Sequence, residues 1–171
     1  QHYQAATNMT DRLAALTILV HRFPQSAEAI AALSRFEKRF GLMPLAMDKW
    51  FAVQATLPGP DALERVKALQ SHAAFTFDNP NRLRALIGSF STANPTGLNR
   101  PDGLGYELLA EVVLRVDKQN PQTAARLLTA MRSWRSLETG RKGKARDALS
   151  RIAQDSALST DVRDIVERTL G

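Results

Sequence analysis

The sequence predicts an all-α domain, and three observations carry that prediction. Apolar residues recur every three or four positions along most of the 171 residues, whereas the alternation typical of strands is almost absent. Proline, glycine and Asn-Pro pairs interrupt the pattern at helix-length intervals. Because short links make consecutive helices pack antiparallel, we expect about nine helices in a solenoid-like superhelix of the ARM or HEAT kind. No long linker divides the chain, so residues 1–171 form a single domain.

The first two helices have recognisable ends. A helix is predicted to begin after Thr10 and to end near Pro24. The next begins at Ser26, whose hydroxyl suits a helix N-cap, and ends at Gly41, a common C-terminal stop.

The third and fourth helices follow in the same way. Pro44 fits the first turn of the third, which ends before Pro58. Asp61, with Glu64 three positions later, predicts a capping box that opens the fourth helix.

Three Asn-Pro pairs mark the middle of the chain. An Asn side chain can accept hydrogen bonds from free N–H groups of a helix start, and Pro loses nothing at the first helical position. We therefore predict helix starts at Asn79-Pro80 and Asn120-Pro121. Asn94-Pro95 lies in the polar, Gly- and Pro-rich stretch 92–103, which we interpret as a loop. The remaining predicted helices cover about 106–118, Pro121 to beyond Trp134, about 141–153, and a last segment after Thr160.

The charge is positive and uneven. The net charge is +6, and residues 132–151 contain seven bases against two acids. We interpret this segment as a solvated face or as a surface that meets an acidic partner. Nucleic-acid binding is the alternative, although Trp134 is the one aromatic residue among these bases. The chain has no cysteine, which suits a reducing cytoplasm, and neither a long apolar run nor a leader sequence that would indicate a membrane.

The sequence lacks the motifs that would indicate a metal site, a catalytic nucleophile or a phosphate-binding loop. His2, His21 and His72 have no partner at the spacing of a metal site, and no Gly-x-Ser-x-Gly segment indicates a nucleophile. The glycines of 97–105 follow a helix and not a strand, so they predict a turn and no phosphate loop. We predict neither a metal site nor catalytic residues in this chain.

Two arginines stand where a helix disfavours cations. Arg82 and Arg84 follow the helix start at Asn79, and a base in the first turn forgoes about 0.3–1 kcal/mol that an acid would gain. Such a position is a candidate functional site. Alternatively, Arg82 bends outward to water or pairs with Asp78.

Gln122 and Arg126 form the second candidate pair. They are four residues apart in the helix that Asn120 opens, so they share a face. An amide there can donate to and accept from a ligand, and a guanidinium one turn later suits a carbonyl or a carboxylate. The alternative is an ordinary polar helix face.

Several strings resemble one known family. They are Asn8-Met9-Thr10-Asp11-Arg12, Met47-Asp48-Lys49-Trp50-Phe51, Asn79-Pro80-Asn81-Arg82-Leu83-Arg84, Gly105-Tyr106, and Asn120-Pro121-Gln122 with Arg126. Together they resemble the C-terminal helical domain of bacterial aminopeptidase N, a zinc metallopeptidase of the gluzincin group. The family's His-Glu-x-x-His and Gly-x-Met-Glu-Asn motifs do not occur in this chain.

The resemblance implies a function and a set of site residues. It implies a non-catalytic domain that closes the active-site cavity of an aminopeptidase and controls the access of peptides. By motif, the residues that would line that cavity are Gln122, Arg126, Arg84, Asn81 and Arg82.

The resemblance also implies cofactors and partners. One zinc ion is expected in a catalytic domain that this chain lacks, and no cofactor in the chain itself. The partners would be the other domains of the same polypeptide and peptide substrates, with no nucleic acid and no membrane, in the cytoplasm. We expect the isolated chain to be inactive. A stand-alone helical-repeat adaptor that binds peptides or proteins is the alternative.

Overall fold

A computed structural model describes residues 8–171 of the chain. These residues form ten α-helical segments, with the continuous stretch 80–93 counted once, and they contain no strand. The all-α prediction is confirmed. The helices are α1 (Met9–Arg22), α2 (Ala27–Phe40), α3 (Pro44–Ala55), α4 (Ala62–Leu69), α5 (Pro80–Leu83), α6 (Ser89–Ala93), α7 (Pro95–Leu98), α8 (Leu104–Asp117), α9 (Pro121–Leu128), α10 (Thr139–Ala153) and α11 (Thr160–Leu170).

The helices pack in two connected groups around one core. The first group contains α1, α2 and α3, and α3 also contacts α4 and the segment around residues 84–88. In the second group α8 packs against α9 and α10, and both of these contact α11. Phe36, Phe51, Phe90 and Tyr106 are almost completely buried between the helices. Each large apolar side chain buried in this way contributes about 1.5–3 kcal/mol of hydrophobic stabilisation.

A turn of π-helix joins α5 to α6. Residues Arg84–Gly88 form this turn, so the helix runs without a break from Pro80 to Ala93 but holds one more residue than regular α-geometry would. Ser89 donates from its hydroxyl to the carbonyl of Arg84, five residues earlier, at 3.4 Å. Turns of this kind occur frequently at functional sites.

Asparagine caps appear at all three Asn-Pro pairs. Asn79 accepts from the N–H groups of Asn81 and Arg82, and Asn120 accepts from that of Thr123, so both predicted helix starts are confirmed.

The loop predicted at Asn94-Pro95 is wrong. The Asn94 side chain accepts from the N–H of Gly97 and opens the short helix α7. It is also buried, and its amide donates to the carbonyls of Ala55 at 3.0 Å and Leu57 at 2.8 Å. These tertiary bonds hold the pair in place despite the surrounding glycines and prolines.

Two further expectations are wrong. The Asp61 side chain makes no capping bond, because it pairs with Arg65 at 2.6 Å. The helix from Pro121 does not continue past Trp134: α9 ends at Leu128, and 3₁₀ turns follow at Thr129–Met131 and Trp134–Ser136. The Trp134 indole N–H donates to the carbonyl of Thr169 in α11, and this contact draws the ring inward.

Glycine is required at the turn that leads into α8. Gly103 has φ of 82°, in the left-handed region, and Gly105 lies so close to α7 that a Cβ atom would come within 2.2 Å of the Leu98 carbonyl oxygen. The predicted turn in 97–105 is therefore present, although α7 occupies its first part. Among residues 8–171, no helix combines the length and the hydrophobicity that a membrane crossing requires.

Candidate functional site

Two of the predicted site residues meet on one groove. Arg84 in the π turn and Arg126 in α9 both line a groove of about 270 Å³ between these elements. The other lining residues are small, hydroxyl-bearing or apolar: Gly88, Ser89, Ser91, Thr92, Leu127 and Thr129. The fold thus brings together two guanidinium groups that are 42 positions apart in the sequence, and no acid lines the groove beside them.

Both guanidinium groups are available to a ligand. Arg84 is exposed, and it donates to the side-chain oxygen of Asn81, a neutral partner. Arg126 is also exposed, and in the part of the chain that the structure describes its side chain has neither a hydrogen bond nor an ion pair. A guanidinium without an acidic partner can donate two parallel hydrogen bonds to a carboxylate or a peptide carbonyl.

Gln122 lies on α9, one helical turn before Arg126. Its side chain is exposed and is not used to cap the helix, because Asn120 takes that role by accepting from Thr123 N–H at 3.0 Å. Gln122 is not among the residues that line the groove, but an i, i+4 pair shares one helix face.

Arg82 lies in a buried environment, unlike the exposed Arg84 and Arg126. It is buried, with 7% of its surface exposed. Its guanidinium donates to the carbonyls of Ala74 at 2.8 Å and Pro44 at 3.1 Å, and it forms an ion pair with Asp48 of α3. Arg82 therefore neither bends outward to solvent nor pairs with Asp78, and contrary to the expectation from the motif it does not line this groove. Asp48 compensates the cation that the helix start disfavours.

A second cavity adjoins the groove. Its volume is about 320 Å³, and Ser91 and Thr92 line both. Its inner wall contains Tyr106, whose hydroxyl donates to the Asn99 side chain at 2.9 Å and whose pKa is raised by burial. Sequence reasoning missed this cavity because residues from four separate segments between 91 and 137 enclose it, and no local motif marks such a junction.

The basic segment 132–151 is partly tied to the domain itself. Arg141 donates to the carbonyl of Asn99 at 2.6 Å, and Arg151 pairs with Glu107 at 2.5 Å. The Glu138 carboxylate accepts from the N–H groups at the start of α10, which lowers its pKa. The exposed bases Arg132 and Arg135 lie with Arg168 around a shallow pocket. The number of basic residues in this segment therefore overstates how many of them are free to contact a partner.

The histidines take part in local contacts. His72 contacts Glu37 at 2.9 Å through Nε2 and accepts from the N–H of Ala74 through Nδ1. His21 lies 3.3 Å from the hydroxyl of Thr56, and His2 is outside the described residues. Among residues 8–171, no three His, Asp or Glu side chains come together as metal ligands would.

Known proteins resemble the chain along its whole length. Residues 1–171 match the domain family DUF3458_C, which is described as a domain of unknown function with ARM repeats. Over 170 residues, 99% of the chain, it is 42% identical to aminopeptidase N of Caulobacter vibrioides, 38% to that of Haemophilus influenzae and 35% to that of Escherichia coli. The chain spans only 19–20% of the length of these relatives.

A solved structure shows the same fold. The crystal structure of Legionella pneumophila aminopeptidase A in complex with aspartic acid matches 99% of this chain and 20% of that protein, with a TM-score of 0.91 and 34% identity. The predicted likeness to the helical domain of bacterial aminopeptidase N is thus confirmed, and the chain belongs to the DUF3458_C family of ARM-repeat domains.

Proposed function

We propose that this chain is the non-catalytic, helical C-terminal domain of a zinc aminopeptidase. It walls the cavity around an active site that lies elsewhere in the polypeptide, and it limits entry to short or unfolded peptides. The match to about one fifth of three aminopeptidase N proteins supports this role. A cytoplasmic location is part of the same proposal.

The groove with Arg84 and Arg126 is the observation that carries the proposal. Two exposed guanidinium groups line it, and no acidic residue lines it with them. A peptide carbonyl or carboxylate could therefore accept hydrogen bonds from them without first breaking a salt bridge. Asn81 orients Arg84 through a hydrogen bond, and Gln122 extends the polar face of α9 by one turn. Arg82 contributes indirectly, because its ion pair with Asp48 holds the start of α5 against α3.

The zinc ion of such an enzyme would be bound outside this chain. The described histidines do not converge with acids into a ligand set, and His72 is already engaged by Glu37 and by Ala74. What the domain supplies is the orientation of the substrate and the exclusion of water, and both raise rate and specificity.

Substitutions in the full-length enzyme test this role. Arg126→Gln removes one charged hydrogen bond, which is worth about 1.5–3 kcal/mol, so we expect kcat/KM for a tetrapeptide to fall about tenfold or more relative to an alanyl anilide. Gln122→Ala should change the preference among N-terminal residues. The matched control is Arg22→Gln, an exposed arginine on α1, which should leave the tetrapeptide-to-anilide ratio unchanged. If Arg126→Gln left this ratio unchanged, the proposed contact between Arg126 and the peptide would be wrong.

A second experiment separates this proposal from a domain with its own activity. The isolated chain should not hydrolyse alanyl anilides. Hydrolysis that a chelator abolishes would overturn the non-catalytic assignment.

A further inference from the structure

A second cluster of arginines lies away from the groove. Arg132 and Arg135, in the segment that follows α9, and Arg168 of α11 surround a shallow pocket of about 220 Å³. Ile165 and Thr169 complete its lining, which contains no acidic residue of the described chain. The pocket shares no residue with the groove between the π turn and α9, so it is a separate surface.

Each of the three arginines keeps hydrogen-bond donors for a ligand. Arg132 is exposed, and its side chain has neither a hydrogen bond nor an ion pair among residues 8–171. Arg135 donates to the carbonyl of Leu170, and Arg168 pairs with Asp164 one helical turn earlier. Each of these two bonds uses one nitrogen of a guanidinium that carries five N–H donors. Because an exposed pair such as Arg168 with Asp164 contributes little stability, a second carboxylate can share that cation.

Arg135 is held in place before a ligand binds. Its guanidinium lies over the Trp134 ring, 5.2 Å from the ring centroid, while it donates to the carbonyl of Leu170. The Trp134 ring is fixed in turn, because it is buried and its indole N–H donates to the carbonyl of Thr169 at 2.9 Å. A side chain whose conformation is set in advance loses less entropy on binding. This wall of the pocket is therefore preformed.

The surroundings favour an acidic polypeptide over nucleic acid. Proteins hold single strands by stacking bases on aromatic rings, but Trp134, the one aromatic residue of the basic segment 132–151, is buried. Duplexes are bound through many phosphate contacts, whereas Arg141 and Arg151 of the same segment are engaged by other groups of this domain. Several guanidinium groups at one point match neighbouring carboxylates, each of which can accept two parallel hydrogen bonds.

We propose that the pocket of Arg132, Arg135 and Arg168 binds an acidic segment of another protein, whose Asp or Glu carboxylates accept from these guanidinium groups. Charge complementarity selects this occupant, since the pocket is lined by three cations and the chain has a net charge of +6. The volume of about 220 Å³ is below the roughly 300 Å³ at which small-molecule sites begin, so the pocket fits the end of a side chain. The inference is independent of the proposed function and holds whether or not peptides enter the groove.

The experiment measures fluorescence anisotropy of a labelled hexaglutamate peptide with the full-length protein. At about 0.15 M salt, exposed charges more than about 8 Å apart are largely screened, so the measurement reports on local contacts. Arg132→Gln should weaken binding about threefold to fivefold, the upper range for one exposed ion pair, and Arg132→Gln combined with Arg168→Gln about tenfold. The matched control is Arg146→Gln, which removes the same charge from an exposed position of α10 outside the pocket and should leave the affinity unchanged.

Three results would overturn the proposal. They are no binding of hexaglutamate to the unsubstituted protein, equal affinities for Arg132→Gln and Arg146→Gln, and stronger binding of hexathymidylate than of hexaglutamate with the same dependence on Arg132. Arg132→Lys keeps the charge but not the planar fork, so its affinity should lie between those of Arg132→Gln and the unsubstituted protein. This graded variant gives an answer even if the Gln substitution disturbs folding.

Discussion

Arg82 and Arg84 are two residues apart at the start of one helix, yet they belong to two different regions. Arg82 lies in a buried junction with Asp48 and the carbonyls of Pro44 and Ala74. Arg84 lies at the exposed groove with Arg126, where its guanidinium donates to the neutral side chain of Asn81. The residue type is the same, but the surroundings are not.

The difference teaches that an acid within reach decides what an arginine does. Asp48 reaches Arg82 from α3, so that cation is neutralised and becomes part of the structure. No acid lines the groove, so its two cations keep their hydrogen-bonding capacity for a ligand. Breaking the first arrangement should affect folding, and changing the second should affect binding.

The largest expected effect is the loss of the buried junction. Arg82→Ala leaves the Asp48 carboxylate without its cation and removes the donors to two backbone carbonyls. Removing one partner of a buried pair costs about 3–5 kcal/mol, and because the Asp48 side chain is 18% exposed we expect the lower end of that range. Urea unfolding measures the change.

Arg84→Ala is the matched control for that measurement. As an exposed side chain, it should change the free energy of unfolding by no more than about 0.5 kcal/mol. Equal losses from both substitutions would show that the distinction between junction and groove is wrong.

Two asparagines show the same contrast between a buried and an exposed residue, with a smaller expected effect on stability. Asn94 is buried and bonds to Ala55, Leu57 and Gly97, whereas Asn81 is exposed and bonds to Arg84. Asn94→Ala should lower the free energy of unfolding by about 2 kcal/mol, since it removes a cap and leaves buried groups unpaired. Asn81→Ala should stay within about 0.5 kcal/mol in the same unfolding assay. A loss from Asn81→Ala as large as that from Asn94→Ala would contradict the comparison.

An acid introduced into the groove sharpens the contrast further. Arg126→Glu places a carboxylate on the groove that Arg84 also lines. Because both positions are exposed, a new pair there should add only about 0.2–1 kcal/mol, far less than the buried pair of Arg82 provides. Thermal unfolding measures this gain, while peptide affinity of the full-length enzyme should fall. A gain of several kcal/mol would mean that the groove is closed from solvent.

The smallest expected effect is the pH response of exposed carboxylates. Glu138 has a lowered pKa because it accepts from the N–H groups of Arg141 and Gly140, and Asp102 has a lowered pKa because Arg100 donates to it. A lowered folded-state pKa gives stability that is present above the ordinary value and is lost as the pH falls through the folded value. Unfolding midpoints should therefore decrease below about pH 4.5, the ordinary pKa of Glu138. Glu138→Gln should make that decrease shallower, and an unchanged slope would count against this cap.

Helix starts were predictable where the rule was local. Asn79 and Asn120 cap their helices as the Asn-Pro pattern indicates. Asn94 follows the same rule, but the glycines and prolines around it argued for a loop, and the bonds to Ala55 and Leu57 that stabilise it come from distant residues. Asp61 failed as a capping residue because Arg65 competes for its carboxylate.

The site was only partly predictable. The i, i+4 spacing places Gln122 and Arg126 on one face, but nothing in the spacing brings Arg84 to Arg126, and that pairing came from the family resemblance. Physical reasoning singled out Arg82 as well as Arg84, and it could not separate them because Asp48 is 34 positions away. Long-range partners decide which polar residue is used by the fold and which is left available.

The π turn at Arg84–Gly88 amounts to a one-residue insertion within a helix. One residue corresponds to about 100° of rotation around a helix axis, so the insertion sets the direction in which α5 faces relative to α6. A chain without it would carry an uninterrupted α-helix, in which α5 is rotated by about 100° relative to α6, so that the Arg82–Asp48 pair and the groove formed by Arg84, α6 and Arg126 could not both keep their geometry. The extra residue of this turn thus sets the orientation of the buried ion pair relative to the open groove. A one-residue deletion there should change both the stability of the domain and the shape of the groove.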